Sequence, residues 1–427
     1  MLTFIGIIFF ILLLIGTPIG FALGIAALAV FIKMDTPALF NMVPQRYYAG
    51  LDMFTLMAMP FFILAGEMMN KAGITHRLVQ FANILVGHLR GGLAHANIVA
   101  SIFFAGLTGA AVSDTAAIGT MLIPAMVEDG YELDYSAAVT ASSSIIGPTI
   151  PPSNMMVIYG SILNVSIAGL FASGILTGLL LAFLLMLLAA YYAAKRNYPK
   201  KKRSSLKIMV MKTREAIIPL LMPLIILGGI LTGVFTPTEA AAVAVGYAAF
   251  VGLFVLKTLK LKDFPELFYR TAMTTGVVFL IIGTASICGW ILASERIPET
   301  VAKAMLSLSD DKNILLLLIL LLMGIVGCFM DIAAALIILG PILHPLAVSH
   351  GVHPLHFGII MVFSLNIALI TPPVGACLFV ACGITKLTLE QLSKAIWPFF
   401  VVEFITLIII TFVPDIPMAI PRLLGFY

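Results

Sequence analysis

The chain is built from long apolar runs joined by short polar stretches, and most of the runs are long enough to cross a membrane. They fall at approximately 3–32, 50–70, 95–127, 136–164, 166–194, 214–235, 237–256, 270–293, 313–348, 355–382 and 388–413. An α-helix rises 1.5 Å per residue, so roughly 20 apolar residues span a hydrocarbon core of ~30 Å. The pattern predicts an all-α, polytopic membrane protein. The first run lacks a basic leader and a small-residue cleavage site, so it is expected to stay as a mature helix.

Two runs fit this template poorly. His95 to Leu107 is 13 residues, about 20 Å of helix, before GLTGAAVSD interrupts it. The stretch 95–127 therefore reads as a re-entrant hairpin, and 313–348 reads likewise around GIVGCFMD. Between crossings, Ile74, Leu78, Phe81, Leu85 and Leu89 share one helical face, as do Ile297, Val301, Ala304 and Leu308. Both suit helices lying in the interface plane.

The pattern occurs twice. IGPTIPP at 146–152 matches IALITPP at 367–373, an offset of 221, which also pairs Pro124 with Pro345 and Gly130 with Gly351. Gly66 pairs with Gly283 and Asp114 with Asp331 at 217, and Thr17-Pro18 pairs with Thr236-Pro237 at 219. The first unit spans 1–194, a basic linker with one unmatched crossing spans 195–235, and the second unit spans 236–427. Nine Lys/Arg and no acid between Lys195 and Arg214 place that loop, and with it the N-terminus, in the cytoplasm. The next basic loop, Lys257 to Arg270, agrees after two crossings. The single unmatched crossing starts the second unit from the opposite face, which gives two inverted-topology repeats and a periplasmic C-terminus. Thr236-Pro237-Thr238-Glu239 reads as a capping box, and Thr388 to Gln391 repeats it.

Composition narrows the chemistry. The chain is 61% hydrophobic and 10% charged, with a mean hydropathy of +1.12. A water-facing domain carries about 25% charged residues. No polar stretch is long enough for a soluble domain, and a phosphate-binding GxxxxGK[ST] loop is absent. The four cysteines lie in apolar segments as small packing residues. His344, His350, His353 and His356 fall in an expected extramembrane turn without metal-ligand spacing, and no catalytic triad or paired carboxylates are visible. An enzyme is not expected, nor a nucleic-acid partner, since topology explains Lys200 to Arg203.

The polar chemistry gathers at the interruptions. In SSSIIGPTIPPSNMM, 142–156, Pro151 and Pro152 supply no backbone donor and disfavour helix at Ile150. Irregular backbone at membrane depth survives only when buried in protein or lining a polar cavity. Free carbonyls at such a break suit a small hard cation, and the helix N-terminus beyond it suits an anionic or hydroxylated substrate. Ser142, Ser143, Ser144, Thr149, Ser153 and Asn154 add neutral oxygens, as do Ser364, Asn366 and Thr371 at the second break. Asp114 and Asp331 are intramembrane carboxylates with three readings: cation ligand, helix cap or proton carrier. Glu67 and Glu403 sit near segment ends, where interfacial exposure is expected. Arg296, at the end of 270–293, reads either as an anion lure or as an interfacial anchor.

Four stretches carry a family resemblance: FFAGLTGAAVSDTAAIGTMLIPAM (103–126), GPTIPPSNMMVIYG (147–160), GVFTPTEAAAVAV (233–245) and NIALITPPVGACLFV (366–380). Together they resemble the large membrane subunit of tripartite ATP-independent periplasmic (TRAP) transporters over essentially the whole chain. The resemblance implies an elevator-type, Na⁺-driven transporter in a bacterial inner membrane, without other cofactors. It implies a small four-helix membrane subunit and a periplasmic substrate-binding protein as partners, and organic acids such as C4-dicarboxylates or sialic acid as substrates. The family's ion sites carry over to Thr108, Gly109, Ala110, Asp114, Gly147 and Pro151, and to Gly324, Gly327, Asp331, Thr371 and Gly375. Ser113, Thr149, Ser153, Asn154, Asn366 and Arg296 are the expected substrate contacts. The alternative is a stand-alone divalent-anion/sodium symporter; that related family shares the architecture but carries Ser-Asn-Thr signatures, whereas here Met155 follows Ser153-Asn154.

Overall fold

In the computed structural model every apolar run becomes helix; described are residues 2–34, 40–201, 203, 205–296, 300, 303, 311–328, 330–372 and 375–426. The first unit comprises α1 (Leu2–Leu14), α2 (Ile19–Lys33), α3 (Met42–Leu51), α4 (Ala58–Lys71), α5 (Ile74–Val86), α6 (Gly92–Thr108) and α7 (Ala111–Glu128). It continues with α8 (Leu133–Ser143), α9 (Ile146–Thr149), α10 (Asn154–Leu163) and α11 (Ile167–Lys195). The linker helix is α12 (Leu206–Leu231). The second unit comprises α13 (Pro237–Phe250), α14 (Phe264–Ser294), α15 (Lys312–Gly327), α16 (Ile332–Ser349), α17 (Pro354–Ile367), α18 (Ala376–Thr385), α19 (Leu389–Phe412) and α20 (Asp415–Leu423). Six described helices have the length and hydropathy of a membrane span, or seven if α3 and α4, bent by 60°, count as one.

The halves exchange partners. α2 packs on α14 while α13 packs on α4, α7 packs on α18 while α16 packs on α10, and α8 packs on α19 while α17 packs on α11. In each case an element of one unit meets the counterpart of its own neighbour in the other. Close approach is bought by small residues in α2. A Cβ on Gly20 would lie 2.9 Å from Leu280, and one on Gly24 would lie 3.2 Å from Thr284. Glycines four apart bring two helices together where hydrophobicity cannot, because lipid is as apolar as leucine.

Local chemistry sets the boundaries. Thr236 and Glu239 form the expected capping box of α13, and Thr388 and Gln391 that of α19. The first run, expected as one helix, is two: Gly16 turns with φ of 85° and Pro18 has no N–H to continue α1. The hairpin arms are longer than expected, 17 and 18 residues in α6 and α7, because helix begins at Gly92 and reaches Thr108. The face predicted for α5 is buried at Ile74, Leu78 and Phe81, but Leu85 and Leu89 are exposed. Its predicted counterpart, 297–308, lies outside the described residues apart from Thr300 and Lys303. His344 is not in a turn; it sits inside α16, its Nδ1 2.6 Å from the Tyr159 hydroxyl of α10.

At the end of α11 the chain folds back across the α5–α6 joint. Gly91 N–H donates to the Pro199 carbonyl at 3.1 Å, and Arg90 donates to Asn197 at 2.6 Å. Tyr131, Tyr135, Tyr192 and Tyr198 cluster beneath, with the Arg196 guanidinium 5.0 Å over the Tyr192 ring. Burial alone would raise the Glu132 pKa; hydrogen bonds from Tyr198 and Arg196 outweigh it and hold the carboxyl below its ordinary value.

Candidate ion and substrate site

Both helix breaks form where proline demands them. Ile150 is extended at φ −83° and ψ 132°, and Thr371 at φ −97° and ψ 122°, each preceding a proline. Because Pro151 and Pro152 have no N–H, the carbonyls of Gly147 and Pro148 have no donor four residues on.

The first hairpin presses on the first break. Asp114 lies in the first turn of α7, fully buried, and a Cβ on Gly147 would stand 2.0 Å from its Oδ2. Only glycine lets a carboxylate rest on the backbone there. At the hairpin tip, between Thr108 and Ala110, Gly109 turns with φ of 60°, and a Cβ on it would lie 2.5 Å from the Pro152 carbonyl. Two glycines thus bring the hairpin tip, a carboxylate and uncapped carbonyls to one place. Polar bonds fix α6 to α8: Asn97 donates to Thr140 at 2.6 Å, Ser143 to Asn97 at 3.1 Å and Ser101 to Ser143 at 3.0 Å.

The second unit repeats the plan with different bonding. Asp331 caps α16, accepting from Ala333 N–H at 2.9 Å and Ala334 N–H at 3.3 Å. Thr371 donates to the Ile367 carbonyl at 2.9 Å, and Gly375, at φ 27°, opens α18. Pro373 and Val374 lie outside the described residues. A Cβ on Gly327 would lie 2.7 Å from that of Ala368, whereas Gly324 lines an apolar crevice of about 440 Å³ with Thr371. α18 then reaches the first hairpin, where the Cys377 thiol bonds Thr115 close to Asp114 and Glu403.

Glu403 corrects an expectation. It is not at an interface but fully buried, and neither of its oxygens has a hydrogen-bond partner. It occupies the buried stripe of α19 made by Leu392, Ile396, Phe399, Thr406 and Ile410, a helical spacing that was legible in the sequence. Asn366, also fully buried, has both amide atoms unpartnered.

Beside the first break a cavity of about 620 Å³ opens between the hairpin and the helices packed around it. Ala110, Ser113 and Asn154 line it from the hairpin and break. Glu67, Asn70 and His76 face them from α4 and α5, and Arg270 and Thr274 from α14. Thr149 and Ser153 do not line it: Thr149 donates to the Ile145 carbonyl at 2.8 Å, and Ser153 caps α10. Asn366 is not in its wall. Arg296 is exposed past the far end of α14, about 39 Å along the helix from Arg270. The cation on the cavity is Arg270, which bonds Glu266 at 2.6 Å. No local motif marked Arg270, Glu67 or His76, since three separate elements assemble them.

Residues 6–416 match the family model described as "Tripartite ATP-independent periplasmic transporter, DctM component". The chain belongs to the TRAP transporter large-permease family. It is 41% identical over 416 residues to the sialic acid TRAP transporter large permease protein SiaM of Vibrio cholerae, covering 97% of each chain. It is 43% identical over 411 residues to the isethionate TRAP transporter permease protein DctMQ of Oleidesulfovibrio alaskensis, covering 96% of this chain and 65% of that one. Among solved structures, the YdaH transporter of Alcanivorax borkumensis shares the fold, with a TM-score of 0.60 at 15% identity over 91% of this chain and 88% of that one. The chain is therefore a multi-pass membrane protein of a TRAP permease.

Proposed function

We propose that this large permease imports an organic-acid anion, of the sialic acid or C4-dicarboxylate class, in symport with Na⁺. One observation carries the reading: an intramembrane carboxylate, a hairpin tip and two uncapped carbonyls meet at a helix break, beside a cavity large enough for a small acid. Asp114, the backbone at Gly109 and the Gly147 carbonyl hold the cation. Ser113, Asn154 and Arg270 meet the anion, Arg270 supplying the charge. Relatives of 41% and 43% identity are named for sialic acid and for isethionate, a sulfonate, so similarity alone does not choose among organic anions.

In this reading α6–α10 and α15–α18 move as one body, within which the Asn97 network joins α6 to α8, against α2, α4, α13 and α14. The cavity lies on the boundary between the two bodies, as an elevator requires. The protein resides in a bacterial inner membrane, with the N-terminus and 195–214 loop cytoplasmic and the C-terminus periplasmic. It works with a small four-helix subunit and a periplasmic protein that delivers substrate. The test is uptake of candidate acids into proteoliposomes carrying both membrane subunits, with and without a Na⁺ gradient and the periplasmic protein. Uptake that needs both is expected. Uptake without Na⁺ overturns the coupling, and full uptake without the soluble protein favours a stand-alone symporter.

A further inference from the structure

We propose that the groove between α5, α12 and the turn following α13 is a binding site for an anionic phospholipid. The groove has a volume of about 680 Å³. Three cations border it, Arg77 from α5 and Lys207 and Arg214 from α12. None of the three makes an ion pair or side-chain hydrogen bond among the described residues. The acid on the groove, Glu215, is held by Lys212 at 2.8 Å. Glu215 also attracts Arg77, so one acid shared with Lys212 stands against three groove cations, and an anion between them relieves the repulsion that remains.

The walls identify the kind of anion. Lys207, Val210, Met211, Arg214 and Ile218 follow one face of α12 at helical spacing, so the cations and the apolar wall belong to the same groove. Val210, Met211 and, in the helical turn Val251–Val255 that follows α13, Val255 are 53%, 50% and 43% exposed. A free phosphate ion would use the cations and leave these side chains uncovered. A phospholipid uses both: the headgroup phosphate sits among Arg77, Lys207 and Arg214, and an acyl chain lies along Val210, Ile218 and Val255. Lys207 is also the first residue of a membrane span, the depth at which headgroups stand. This site is separate from the transport cavity and does not rest on the transported substrate.

The experiment is native mass spectrometry of the full chain in detergent, titrated with phosphatidylglycerol, with phosphatidylethanolamine, and with inorganic phosphate as competitor. Each basic side chain contributes about a factor of five towards an anionic headgroup. Arg77→Gln/Lys207→Gln/Arg214→Gln is therefore expected to weaken phosphatidylglycerol binding roughly 100-fold. Exposed cations off the groove, changed as Lys262→Gln/Arg296→Gln/Lys386→Gln, are expected to leave it intact. Val210→Ser/Met211→Ser keeps all three charges and is expected to weaken lipid binding through the wall alone, which protects the test if the triple variant is unstable. Equal loss in the two charge variants, displacement of the lipid by inorganic phosphate, or equal binding of phosphatidylethanolamine overturns the proposal. So does a cross-link from Met211→Cys to the small subunit in native membranes in place of lipid.

Discussion

Replacing Gly147 by alanine tests the contact on which the ion site depends. The new Cβ would begin 2.0 Å from Asp114 Oδ2, whereas ordinary contact starts at 3.4 Å, so something must move by about 1.4 Å. Gly147 is in the short helix before the break and is itself buried, which leaves the carboxylate as the part that gives way. Overpacking of this kind costs about 1–3 kcal/mol in stability. If Asp114 holds Na⁺, the same shift weakens a charge-assisted contact worth about 1.5–3 kcal/mol. At 1.4 kcal/mol per factor of ten, half-saturation by Na⁺ should rise roughly 10- to 150-fold.

The assay is initial uptake rate against Na⁺ concentration in proteoliposomes, with thermal unfolding measured with and without Na⁺. Lost stability alone lowers the amount of active protein and leaves half-saturation where it was. Loss of the ligand moves half-saturation and shrinks the stabilisation that Na⁺ gives. Asp114→Asn, which removes the charge and keeps the shape, should reproduce the shift. A Gly147→Ala protein with the parental Na⁺ dependence would show that the carboxylate is not a ligand.

Closing the first break should be fatal to transport and harmless to insertion. Pro151→Ala/Pro152→Ala restores donors for the Gly147 and Pro148 carbonyls, so Na⁺-driven uptake should vanish while membrane-inserted protein remains; unimpaired uptake counts against the site. Arg270→Gln should raise the substrate KM about fivefold and leave Na⁺ half-saturation unchanged, since Arg270 is exposed and already bonds Glu266; a KM that stays put removes Arg270 from the anion site. Glu132, with its pKa held below the ordinary 4.5, contributes stability above that pH and loses it as pH falls through the lowered folded value. Its side chain is half exposed, so the contribution should stay under about 1 kcal/mol, seen as an acid-side fall in melting temperature that Glu132→Gln lacks. Gly20→Leu, meeting Leu280 at 2.9 Å, should cost stability by forcing α2 from α14, read as a lower melting temperature.

What the sequence could and could not announce follows from the range of each force. Proline acts on its own backbone and its immediate neighbour, so both breaks were legible to the residue. Capping boxes act over three residues, and both were found. Gly16 and Pro18 carried the same kind of signal, yet the apolar residues on either side hid it. Glu403 is the instructive case. A carboxylate near a segment end reads as interfacial when taken alone, but its spacing from Ile396, Phe399 and Thr406 assigns it to the inward face of α19.

The cavity is different in kind. α4, α5 and α14 contribute to it from positions up to about 170 residues away from the hairpin tip (Ala110 to Val278), and nothing local joins them. The repeat does supply a route. Once α2 and α13, and α4 and α14, are paired as counterparts, the exchange of partners requires α4 and α14 to stand at equivalent places around the two units. Gly147 and Gly109 then take on a second meaning. In sequence they are helix breakers, and in the fold each is the missing side chain that lets another group in: a carboxylate at one, a carbonyl at the other. A glycine in a membrane helix is thus better read as a place where something approaches than as a place where the helix is weak, and at the first break what approaches is more oxygen, which with the freed carbonyls makes surroundings suited to a cation.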